Sequence, residues 1–75
     1  MNAGQRKRIC QIKDDLEELQ AEIEAIKEEE EVKFDNLPDN FQGGEQGEKM
    51  QECINTLEEV ADYVGSAVIS MEEIS

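Results

Sequence analysis

Histidine and tryptophan are absent from this 75-residue chain, proline occurs once, cysteine twice, and aromatic residues make up only 4%. Each scarcity excludes something. Without histidine, the commonest general base and metal ligand is missing. Two cysteines are too few for a disulfide framework or an all-thiolate zinc site. No apolar run approaches the roughly 20 residues of a membrane span. Arg6, Lys7 and Arg8 are followed by no apolar stretch of the signal-peptide kind. The expectation is a water-soluble cytoplasmic protein with both thiols reduced. Gly43, Gly44 and Gly47 follow no strand pattern and lack the lysine of a phosphate-binding loop. An EF-hand counted from Asp35 fails as well. Its third position is Leu37, its sixth is Asn40 instead of glycine, and its twelfth is Gln46 instead of glutamate. Carboxylates abound, but a chain this small encloses no pocket in which to tune them. The sequence therefore predicts a non-enzyme with no cofactor and no metal.

Cations are also scarce. Twenty acidic residues stand against seven basic ones, a formal net charge of −13. Direct binding to nucleic acid or to an anionic membrane needs clustered Lys and Arg, so both are excluded as partners. A basic protein surface, including a groove that itself holds nucleic acid, is the natural partner. A single domain of this length buries too little surface for a comfortable stability margin, and a second copy of the chain is the expected supplement.

The apolar residues are ordered, which argues against disorder despite the high charge. Residues 3–34 hold no proline and one glycine, residues 35–47 hold the only proline and three of the five glycines, and residues 48–74 are again proline-free. This predicts a helix over 3–34, a turn over 35–47 and a helix over 48–74, forming one domain over 1–75. Asn2 and Gln5 have the spacing of a capping box at the first start. Ile9, Leu16 and Ile23 then fall at heptad a, and Ile12, Leu19 and Ile26 at d, so the pattern is a coiled-coil seam. In the second helix Met50, Leu57, Val64 and Met71 take a, Cys53, Val60, Ala67 and Ile74 take d, and Ile54, Ala61 and Val68 take e. The fold class is thus all-α, an antiparallel two-helix hairpin. The wider second stripe suits two neighbours, its partner helix and another chain. A homodimeric four-helix bundle is expected, with Met50, Ile54, Leu57, Ala61, Val64, Val68 and Met71 at its interface. Ala61 and Gly65 form a small-x-x-x-small step, which either admits a close backbone approach or merely weakens the helix.

Charge supports the antiparallel course. Arg6, Lys7 and Arg8 disfavour a helix start and Glu72 and Glu73 a helix end, and the hairpin brings these ends together. Folding about residue ~39 sets Cys53 level with residue ~25, roughly 22 Å from Cys10 at the helical rise, too far for a bridge. Cys53 then reads as a core residue and Cys10 as inert.

Two features allow a functional and a structural reading side by side. Residues 14–31 hold ten acids opposed only by Lys27. Eighteen helical residues span about 27 Å, so one negative charge falls every ~2.7 Å, comparable with ~1.7 Å in duplex DNA. Such a rod can imitate a nucleic-acid backbone, or it can simply be a solvated face. Glu17, Glu18, Glu24, Glu28 and Glu31 avoid the a and d positions and are the candidate partner-binding residues. Phe34, Leu37 and Phe41 either plug the closed end, with a short helical turn begun at Pro38, or form a docking tip.

The stretch Asp35-Asn36-Leu37-Pro38, then Gln42, then Gly47-Glu48-Lys49-Met50, resembles a group of short acidic proteins of phages and prophages of Gram-positive bacteria. The opening Gln5-Arg6-Lys7-Arg8 is similar too. Gly44 stands where that group has serine, and Gln46 where it has a basic residue. The resemblance implies an origin in a mobile element and brings no catalytic residue with it. Small acidic phage proteins include inhibitors of host defence systems, CRISPR nucleases among them. The expected function is inhibition of a host nucleic-acid-handling or defence complex by acidic helical faces. The alternative is a structural or assembly coiled-coil protein whose acids serve only solubility.

Overall fold

The computed structural model describes residues 1–74, and among them the chain forms three helices and no strand. Helix α1 spans Ala3–Asp35, a single-turn α2 spans Asp39–Gln42, and α3 spans Glu45–Glu72. The capping box is made: Gln5 N donates to Asn2 Oδ1 at 2.8 Å, and Asn2 N donates to Gln5 Oε1 at 3.2 Å. Two orphan backbone donors are thereby satisfied at the start of α1. Helices α1 and α3 pack side by side as an antiparallel rod 58 Å long and 14 by 12 Å across. None of the helices is long and apolar enough to cross a membrane.

The turn is shorter than the sequence suggests. Pro38 caps α2, accepting from Phe41 N at 2.8 Å and Gln42 N at 3.1 Å. Gln42 then closes the first helix, because its Nε2 donates to the carbonyls of Phe34 and Leu37, both at 3.1 Å. Helix α3 begins at Glu45 instead of residue 48, and Gly47 is buried within its first turn. A Cβ there would meet the Gln42 carbonyl and would lie 2.6 Å from the Phe41 oxygen. That close approach needs glycine. Phe34 and Leu37 are half-buried at the closed end, whereas Phe41 stays 50% exposed.

The seam between the helices differs from the expected a and d rows. On α3 the buried residues are Gly47, Ile54, Ala61 and Val68, all at e, and the a residues Met50, Leu57, Val64 and Met71 are half-buried. On α1 the half-buried residues are Ile9, Leu16, Ile23 and Glu30 at a, Lys13, Gln20, Lys27 and Phe34 at e, and Glu31 at b. Gly47 and Ala61 leave room in the e row of α3, and the longer e side chains of α1 are half-buried on the same seam. Gln20 donates from Nε2 to the Ala61 carbonyl at 3.3 Å, and its amide crosses where a Gly65 Cβ would come within 2.8 Å. The Ala61–Gly65 step is thus crossed by a side chain, not by the close backbone approach expected of it.

The d rows are left outside. Ile12 is 48%, Leu19 49% and Ile26 52% exposed, and on α3 Cys53, Val60, Ala67 and Ile74 are exposed as well. Cys53 is thus not a core residue, and it lies beside Glu30 instead of residue ~25. Both thiols are free, as the separation along the rod requires. In an antiparallel pair whose seam is a and e on both helices, the two d rows fall on the same side of the rod.

Candidate functional site

The heptad frame that puts d on one side puts b and f on the other. Glu17, Glu24 and Glu31 all occupy b on α1, and Glu58 and Asp62 occupy b and f on α3. The side of the rod opposite the d rows is therefore a shallow groove with carboxylates on both banks. Near its middle, Glu17 and Gln20 face Asp62, Gly65 and Ser66. Toward the turn, Glu31 and Asp35 face Gln51, Asn55 and Glu58. Glu18 and Glu28 sit at c and f, exposed on the outer flank of α1. Three of the five candidate glutamates are brought onto one row, and two extend it outward.

Eight of the ten acids in residues 14–31 are exposed, and Glu30 and Glu31 are half-buried. Those two are each held by a lysine of their own helix: Glu31 Oε1 lies 3.6 Å from Lys27 Nζ, and Glu30 Oε2 lies 3.9 Å from Lys33 Nζ. Pairs of this exposure contribute only about 0.3–0.5 kcal/mol each. They leave the acidic surface largely uncompensated. Among the described residues no three of these carboxylates, with or without a thiol, converge as a metal site would require. The charge is spread along the groove as a line.

Glu58 and Asp62 were outside the sequence-based site, which drew only on the run in α1. The frame already held the signal, since b and f of either helix face one side once the seam is assigned to a and e. The expected dimer residues divide. Ile54, Ala61 and Val68 are only 6%, 5% and 7% exposed inside the hairpin, so they have little surface left to offer a second chain. Met50, Leu57, Val64 and Met71 are half-buried and border the exposed d rows. No protein-family model matches this chain, and neither a curated protein nor a solved structure does.

Proposed function

We propose that this chain is a non-enzymatic interaction protein of a phage-type mobile element. It acts in the host cytoplasm by presenting its acidic groove to a basic surface of a nucleic-acid-handling or defence complex, such as a CRISPR effector. It does so as a homodimer in which two hairpins form a four-helix bundle. The observation that carries the reading is the segregation of the rod. Carboxylates from both long helices line one side, and the exposed apolar d rows lie on the other, where Glu30, Glu45 and Glu52 also stand toward the turn.

Opposed charges set both encounter and affinity in such a complex, and salt screens them. The test is capture from lysates of cells carrying a range of defence systems, with the wild type and with Glu17, Glu24, Glu31 and Glu58 all changed to Lys. The expected result is retention of a nucleic-acid-binding complex by the wild type, competed by duplex DNA and weakened more than about tenfold from 50 to 500 mM salt. The reversed protein should retain nothing. Equal retention by both proteins at high salt would overturn the proposal. It would favour an assembly coiled coil instead, a reading that draws its own support from the exposed d rows.

A further inference from the structure

The side of the rod opposite the acidic groove is the larger anomaly. Ile12, Leu19 and Ile26 are each about half exposed, with Val60 37% and Ile74 48% exposed beside them. On each helix these residues span fourteen positions, about 21 Å of axis, over the open half of a rod that is 58 Å long. A flank of this rod, 14 Å across, would bury on the order of 1,600 Å² in total against its like, the standard size for stable association.

The charge along the rod selects how a like face would be met. Gln20 lies level with Ala61 and Gly65, so Leu19 and residue 63 mark the midpoint. Residues 19–63, the turn half, carry fourteen acids and three lysines, a net of −11. The remaining residues, at the open end, carry six acids and four cations, a net of −2. Two copies stacked with their turns together would lay −11 on −11. Stacked with their turns apart, each −11 half covers a −2 half, and Arg8 of one copy comes level with the Glu28–Glu31 run of the other. Both residues of that pairing, Arg8 and Glu29, sit at g, the row that flanks d.

We propose that the d-row face is the docking surface for a second copy of this chain. The copies stack antiparallel about a two-fold axis across the rod at Leu19, α1 on α1 and α3 on α3, with the acidic grooves on the two outer sides. This deepens the dimer of the proposed function and rests on it. It also moves the interface from the e row of α3 to the d rows of both helices.

The arrangement is tested by a Leu19→Cys substitution in a Cys10→Ser, Cys53→Ser background, under mild oxidation, with the mass read by light scattering and on a non-reducing gel. Leu19 meets its own copy only in the antiparallel stack, so a disulfide-linked dimer is expected at micromolar concentration. A control pairs Leu19→Cys with Val60→Cys. Bridging that needs both thiols would instead mark turns stacked together and would overturn the proposed geometry while keeping the dimer. Leu19→Glu with Val60→Glu should raise the dimer dissociation constant by about a hundredfold or more, since two buried apolar groups are lost per copy. Far-UV circular dichroism should show that the hairpin of this variant remains helical. A wild-type chain of monomer mass would overturn the dimer and this interface together. A dimer that survives the double Glu variant would overturn the interface alone.

Discussion

Helices α1 and α3 carry the same heptad frame, yet every buried residue of the long helices belongs to α3 and none to α1. The difference lies in one row. At e, α3 has Gly47, Ile54, Ala61 and Val68, while α1 has Lys13, Gln20, Lys27 and Phe34. Helix α3 gives the hairpin its floor, and α1 lies against it with Ile9, Leu16 and Ile23 and with the half-buried Lys13, Gln20, Lys27 and Phe34. Ile12, Leu19 and Ile26 of α1, at d, match its a row in type yet contribute little within the chain. A core shared this unevenly is thin, with three buried apolar side chains among the described residues. Even modest changes to it should be measurable as shifts in the urea midpoint.

The sharpest way to break the comparison is to place the same charge on each helix. Ala61→Asp buries a carboxylate under α1 and should cost about 3 kcal/mol or more, enough to abolish the helical signal at room temperature. Ala25→Asp, exposed at c of α1, should cost no more than about 0.7 kcal/mol, the propensity difference. Equal losses would mean that the helices share the core evenly.

A smaller effect separates the two glycines of α3. Gly47→Ala drives a methyl into the Phe41 and Gln42 carbonyls and should cost about 2–3 kcal/mol, because the turn must open. Gly65→Ala meets only the end of a flexible Gln20. It loses one hydrogen bond of about 1 kcal/mol and regains about 1 kcal/mol of helix propensity, for a net change near zero. Chemical denaturation of the two variants side by side checks the ranking.

The smallest effect sharpens the comparison in the other direction. The Lys27 side chain is 24% exposed over the α3 floor, and its ion pair with Glu31 is weak. Lys27→Leu should stabilise by about 0.5–1 kcal/mol, giving α1 a core residue of its own. Destabilisation would show that the lysine has a stronger role than its contacts indicate.

Much of this was legible in the residues, and the failures have physical causes. The capping box at Asn2 and Gln5, the end of the first helix to within one residue and the antiparallel pairing follow from spacing alone. Helix α3 starts three residues before its expected position because Gly47 reads as a breaker. Its actual role, a close approach to the preceding turn, needs the fold to be seen. Its regular part ends at Glu72 instead of 74. The seam was misassigned because period fixes which rows are apolar but not which flank of a faces the partner. Polar Lys13, Gln20 and Lys27 hid the e row of α1, and Cys53 was placed in the core for the same reason. The acidic groove inherits that error, since Glu58 and Asp62 join it only when the seam is turned from d to e.

The amide that reaches from Gln20 to Ala61 joins residues 41 apart in the chain. A heptad hairpin has a characteristic misfolded twin, in which one helix has slid by seven residues and every row still meets a like row. In that slipped state Gln20 would cross Glu58 or Glu72 where it now crosses Gly65, and it would find a side chain in its path. The native register is thus the one in which Gln20 meets a residue without a side chain, and Gly47 meets the turn.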